Sequence, residues 1–177
     1  MGVLTAVAGS LRFGTGFDGH KLEPPGPLRL GGVDVPFDMR LAGHSDGDVL
    51  LHAVASALLG AAGLGDMGRH FPSSDPSLKG IDSRTLLRRV VEMVRARGWL
   101  PEQLDATIIA QRPKLAAHLA QMAAAICEAT GLPSDSRHNT SSVRTAQVSS
   151  NQFFEHLGHS YVFLFTYRPE GVHKILI

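Results

Sequence analysis

The chain has 177 residues, 44% of them hydrophobic, which is long and apolar enough for one domain with a real core. A formal net charge of +1 excludes bulk electrostatic attraction to nucleic acid or to an acidic membrane, so any anion binding must be local. The one cysteine, Cys127, excludes an internal disulfide, and no apolar run approaches the length of a membrane span.

Met1–Ser10 lacks the charged start and long apolar stretch of a secretory signal. The expected setting is the cytoplasm of a bacterium or, in a eukaryote, a plastid, although no clear transit peptide is present. From Leu11 to His20, Leu11, Phe13 and Phe17 share one parity while Gly14, Gly16, Asp18 and His20 share the other. That alternation predicts a strand with a buried face and a face open to a ligand. After a loop marked by Pro24, Pro25 and Pro27, Leu28-Arg29-Leu30 and Val33-Asp34-Val35 flank Gly31-Gly32, the signature of a tight hairpin.

Ser45 followed three residues later by Asp48 resembles a capping box. Val49 to Ala62 is then almost wholly apolar apart from His52 and Ser56, which predicts a buried helix. Asp82-Ser83 can cap a second helix, with Leu86, Leu87, Val90, Val91 and Val94 on one face and Gly98 as its stop. Leu104, Ala106, Ile108 and Ala110 alternate with Asp105, Thr107, Ile109 and Gln111, as a strand requires. Pro113 is then positioned to open a third helix, with Leu115, Leu119, Met122 and Ile126 at core spacing and Gly131 and Pro133 at its end.

The order strand, hairpin, helix, helix, strand, helix predicts an α+β fold, a mixed α/β sandwich with a sheet packed against helices. Beyond Asp135 the chain changes character: a Ser/Thr-rich stretch gives way to an aromatic-rich end. Tyr161–Tyr167 can form a strand, whereas residues 136–151 show neither helical nor strand periodicity and read as poorly ordered. The expected organisation is a domain over residues 11–135 and a divergent tail over residues 136–177.

Asp18, His20 and His52 can each ligate a divalent metal. Asp18 and His20, two apart on an extended backbone, would point to one side. His52 follows His44 across a polar loop and enters the apolar helix. One Asp and two His with an open coordination position form a zinc-like, Lewis-acid site. Against this stands a blander reading: nine histidines make chance pairs common. Likewise Asp66, flanked by glycine, serves a turn as readily as a ligand. Apart from any likeness, His44 reads as a surface loop residue and Lys114 as a solvated charge.

Six ordered blocks add a likeness: Phe17-Asp18-Gly19-His20; His44-Ser45-Asp46-Gly47-Asp48 with His52; Leu59-Gly60-Ala61-Ala62 through Gly65-Asp66-Met67-Gly68; Phe71-Pro72; Lys79-Gly80-Ile81-Asp82-Ser83; and Ile108-Ile109-Ala110-Gln111-Arg112-Pro113-Lys114. Over about Leu11 to Asp135 the chain resembles the 2-C-methyl-D-erythritol 2,4-cyclodiphosphate synthases. The resemblance implies a homotrimeric lyase of non-mevalonate isoprenoid biosynthesis, a terpenoid pathway, with active sites between subunits. Such an enzyme cyclises 4-diphosphocytidyl-2-C-methyl-D-erythritol 2-phosphate and releases CMP. The resemblance further implies that Asp18, His20 and His52 bind a divalent metal, usually zinc, and that His44, with Ser45 beside it, positions the phosphate during catalysis. Asp66, Gly68, Phe71 and Asp75 would enclose the methylerythritol part, and Ala110 to Leu115, including Lys114, would meet the cytidine.

The tail departs from that family, whose members continue with a Glu-bearing loop for the diphosphate and a second metal such as magnesium, then a Gly-Arg-Gly-Glu-Gly segment and a last strand. Here Arg137-His138-Asn139-Thr140-Ser141-Ser142-Val143-Arg144-Thr145 stands in that place, and neither Ser141 nor Thr145 can replace a metal-binding Glu. A changed reading frame or exon would account for the shift in composition. The loss of a sheet strand and of the diphosphate clamp would then predict weak turnover, or a catalytically impaired subunit that joins synthase trimers. A generic metal phosphohydrolase fits the ordered blocks less well.

Overall fold

The structure is a computed structural model that describes residues 11–110, 112–133, 141–146 and 160–169. Met1–Ser10, Gln111 and the remainder of the tail, including the place of the absent glycine-rich segment, lie outside the described residues.

Among the described residues eight strands and four helices follow in the order of an α+β fold: β1 Arg12–Gly19, β2 Leu22–Glu23, β3 Leu28–Leu30, β4 Val33–Val35, β5 Arg40–Leu41, α1 Val49–Ala62, α2 Met67–His70, α3 Ser83–Ala96, β6 Trp99–Ile109, α4 Leu119–Thr130, β7 Ser141–Ala146 and β8 Ser160–Pro169. The main sheet has the order β1-β8-β6-β7, with β8 antiparallel to both neighbours and β7 parallel to β6. Helix α1 packs on β1, β8 and β6, α3 on β6, and α4 on β7; α3 also contacts both α1 and α4. The core is the apolar layer between the sheet and these three helices.

The helices follow from their sequences. Of the fourteen residues of α1, only His52, Ser56 and Gly60 are not buried. Their spacing of four puts them on one stripe of an otherwise enclosed helix. Asp48 is the N-cap, accepting from the Leu51 amide at 3.1 Å. The capping-box expectation placed the cap at Ser45; instead the Ser45 hydroxyl lies 3.0 Å from the His52 ring. Helix α3 starts on the Asp82 cap and buries Leu86, Leu87, Val90, Val91 and Val94, the face its periodicity predicts. The third long helix begins later than expected: Ala116–His118 form a 3₁₀ turn, and the α-helix runs from Leu119 to the left-handed cap Gly131.

Strand β1 reverses the face assignment implied by its hydrophobicity. Gly14 and Gly16 are buried, while Leu11, Phe13 and Phe17 are 51%, 56% and 61% exposed. The cause is a close approach: a Cβ at Gly16 would lie 2.0 Å from the Ala53 carbonyl oxygen, and one at Gly14 would lie 2.1 Å from that of Ala57. Only glycine lets α1 lie this near the strand. The same proximity brings the end of β1, where Asp18 and His20 stand, to the first turn of α1, which carries His52.

Two expectations for the tail are corrected. Ser141–Ala146, in the stretch that lacks periodicity, forms β7, because pairing with β6 supplies partners for its backbone. Nor does the sheet lose a strand: β8 sits between β1 and β6, with Asp18 opposite Tyr161 and Ile108 also opposite Tyr161.

Candidate metal centre

Asp18, at the end of β1, is the hub of the site. Its Oδ2 lies 3.1 Å from His52 Nδ1 and 3.3 Å from His20 Nε2. One ligand atom from each of these three residues falls within 4.8 Å of the other two, and all three side chains are half-buried. Among the described residues this is the one cluster of three or more His, Cys, Asp or Glu groups with such a geometry.

The donor set fits a divalent metal on three grounds. A carboxylate oxygen and two imidazole nitrogens are the ligands of three-ligand, open-sided zinc sites. His20 Nδ1 is hydrogen-bonded to the Ala42 carbonyl, which needs a proton on Nδ1, so Nε2, on the Asp18 side, is the nitrogen left to ligate a metal once it gives up its own proton. Finally, the ionised carboxylate is favoured. Burial works against the Asp18 charge, but without a metal the His20 and His52 rings donate hydrogen bonds to the carboxylate, overcome that effect and hold the carboxyl well below its usual range; a bound metal would replace those protons. The hydrogen bond to Asp18 conversely pushes the His20 imidazole up, against the effect of burial.

The triad faces a cavity of about 240 Å³, whose lining also includes His44, Ser45, Met67 and Phe71. The lining therefore combines polar, ligand-bearing groups with apolar ones, as suits a ligand with an anionic end and a carbon skeleton. Two backbone hydrogen bonds set the polar rim: Gly80 N–H donates to the His44 carbonyl at 2.9 Å, and Asp46 N–H to that of Ile81 at 3.1 Å. These tie the His44–Asp48 loop to the segment that leads into α3.

Of the residues expected at the site, Asp18, His20, His44, Ser45, His52 and Phe71 line this cavity. Asp66 and Asp75 do not line it. Asp66 caps α2, accepting from Arg69 N–H at 2.9 Å, and Asp75 accepts from the Ser77 amide and hydroxyl at 2.9 and 2.7 Å. Gly68 lies within α2, between Met67 and Phe71, but is not itself a lining residue. Ala110, Lys114 and Leu115 are also absent from the lining, and the Leu115 side chain is only 3% exposed, packed in the core. Sequence reasoning missed Phe17, Ser56, Met67, Ser73, Leu78, Ile81 and Leu86, which complete the wall. A signal did exist for Ser56, since it follows His52 by one helical turn on a helix otherwise apolar.

Fold and site together define a two-layer α+β protein with an open, three-ligand candidate metal centre at the mouth of a cleft. The chain belongs to the YgbB family, whose model matches residues 11–147. The 2-C-methyl-D-erythritol 2,4-cyclodiphosphate synthase of Cupriavidus metallidurans is 56% identical over 123 residues, covering 70% of this chain and 73% of that one. That of Thiobacillus denitrificans is 51% identical over 138 residues, or 78% and 86% of the two chains. Among solved structures, a 2C-methyl-D-erythritol-2,4-cyclodiphosphate synthase in its CDP-bound form matches with a TM-score of 0.75 at 32% identity, over 89% of this chain and 98% of that one. The bifunctional IspDF of Campylobacter jejuni matches with a TM-score of 0.84 at 31% identity, over 92% of this chain and 43% of that longer one.

Proposed function

We propose that this chain is a lyase that cyclises 4-diphosphocytidyl-2-C-methyl-D-erythritol 2-phosphate to 2-C-methyl-D-erythritol 2,4-cyclodiphosphate and releases CMP, a step of non-mevalonate isoprenoid biosynthesis. The convergence of Asp18 Oδ2, His20 Nε2 and His52 Nδ1 beside the cavity, in a chain of this family, carries the reading. A 2-phosphate oxygen attacks the β-phosphorus; that P–O bond forms as the bond from the β-phosphorus to the oxygen bridging it to the α-phosphorus breaks, and CMP departs with that oxygen. The substrate supplies its own nucleophile, so the work of the protein is to align two anionic groups and offset their repulsion.

Asp18, His20 and His52 would hold the divalent ion, zinc by donor type, whose Lewis acidity offsets phosphate charge when bound. His44, exposed on the rim loop, with Ser45 beside it, orients the phosphate. Phe71 packs against the methylerythritol carbons, and Asp66, Gly68 and Asp75 contribute from α2 and from the 3₁₀ turn Pro76–Leu78 that Asp75 caps. The cytidine is assigned to the Ala110–Leu115 loop, through Ala110, Lys114 and Leu115. That loop does not line the cavity of its own chain, which supports an active site shared between neighbouring subunits of a homotrimer. The exposed row Leu11, Phe13 and Phe17 supports the same assembly, since such an apolar patch is ordinarily covered. A second metal such as magnesium has no Glu-bearing loop to hold it. The bacterial relatives support the expected cytoplasmic setting.

Incubation of the purified chain with the diphosphocytidyl substrate tests the reading: CMP and the cyclic diphosphate should form, and a chelator should stop both. Release of inorganic phosphate without CMP, or no turnover with metal supplied, would reject it.

A further inference from the structure

The segment from Lys79 to Ser83, tied to the rim loop through Gly80 and Ile81, also touches a proposed metal ligand through its last residue. We propose that Ser83, oriented by Asp46, is a positioning residue that fixes the tautomer of His52 and thereby sets the metal affinity of the site. The inference rests on the metal reading above.

His52 has two ring nitrogens with different surroundings. Nδ1 is the one that meets Asp18 Oδ2, at 3.1 Å. A metal there takes the Nδ1 lone pair, so the ring proton must sit on Nε2. Nε2 lies 2.9 Å from Ser83 Oγ and 3.0 Å from Ser45 Oγ. A hydroxyl can donate or accept, and a donating one would force the proton onto Nδ1 and block ligation.

Asp46 decides the direction at Ser83. The Ser83 hydroxyl donates to Asp46 Oδ1, a carboxylate that can only accept, so its lone pairs are left for His52 Nε2–H. Asp46 is itself held: Oδ2 accepts from the Ser83 amide at 3.0 Å, Oδ1 accepts from the Asp48 amide at 3.2 Å, and Arg29 Nε stands 3.8 Å away. Ser83 is 1% exposed, so water has no access to replace its hydroxyl. Ser45 accepts from the Gly47 amide at 3.3 Å, and among the described residues no carboxylate is hydrogen-bonded to its hydroxyl to orient its proton. The two histidines thus have matching outer partners, a backbone carbonyl behind His20 and a carboxylate-held hydroxyl behind His52.

The test measures metal binding by the full chain, without turnover. Zinc affinity is obtained by competition with a chromophoric chelator, and ¹⁵N NMR of the cadmium-113-loaded protein identifies the coordinating nitrogen. In the unaltered chain the metal should bind His52 Nδ1, with a proton on Nε2. Ser83→Ala should weaken zinc binding by about 10- to 100-fold, and Ser83→Thr, which keeps the hydroxyl, should recover most of the loss. Binding by Ser83→Ala within about twofold of the unaltered chain overturns the role of Ser83. So does equal loss in the Ala and Thr variants, or metal on Nε2. Should Ser83→Ala fail to fold, the nitrogen assignment in the unaltered chain decides alone. An unaltered chain that takes up no divalent metal rejects the metal reading itself, and this inference with it.

Discussion

Asp48 shows how one side chain can position a site it never touches. Wholly buried, it accepts from the amides of Gly31 at 2.9 Å, Gly32 at 2.6 Å and Leu51 at 3.1 Å, joining the β3–β4 hairpin to the start of α1. Burial is the main influence on its carboxyl and pushes it up, while the amides pull the other way. Asp48→Ala would strand three buried donors and remove a helix cap, so urea denaturation of the metal-free chain should show a loss of about 3 kcal/mol. At the candidate metal centre, His52→Ala removes one of the three proposed ligands, and zinc content by elemental analysis should collapse; unchanged content would contradict the triad. Protons and metal compete for the same nitrogens. Because Asp18 pushes His20 up, its imidazole is protonated over more of the acid range than a free one. As pH falls through that raised value, metal uptake must displace a proton, and calorimetric zinc affinity should drop roughly tenfold per pH unit. A pH-independent affinity would remove His20 from the ligand set.

Between elements, the distance from β1 to α1 governs the site. Gly16→Ala places a methyl against the Ala53 carbonyl, and neither atom belongs to a flexible side chain, so the strand must move from the helix. The expected result is a stability loss of at least about 1–3 kcal/mol together with weaker zinc binding, because Asp18 and His52 ride on the two separating elements. Full zinc affinity in a destabilised Gly16→Ala chain would show that the ligands adjust independently of that distance. The hairpin was legible beforehand: Gly31 and Gly32 both have positive φ, +60° and +75°, and the flanking strands pair Leu28 with Val35 and Leu30 with Val33. Helices α1 and α3 were equally legible, as an apolar run and as a 3.6-residue stripe beginning at the Asp82 cap, although the cap of α1 proved to be Asp48 rather than Ser45. The start of α4 was not, because Pro113 fits the opening of a helix without specifying whether the next turn is α or 3₁₀.

For the whole molecule, the exposed Leu11, Phe13 and Phe17 lie on the alternate face of β1 from the glycines that meet α1. If the proposed homotrimer forms through this face, Phe13→Glu should lower the solution mass to that of a monomer in sedimentation analysis, and a trimer that persists would place the subunit contact elsewhere. By itself the sequence determined the candidate donor types, the Asp18–His20 spacing, the main helices and the hairpin, because each depends on residue chemistry and near neighbours. The tertiary structure alone decided which face of β1 is covered, that β8 enters between β1 and β6, and that His52 meets Asp18 on one side and Ser83 on the other. Alternation defines two faces of a strand but not which one a helix will approach. Contacts across dozens of residues depend on packing that no local pattern encodes.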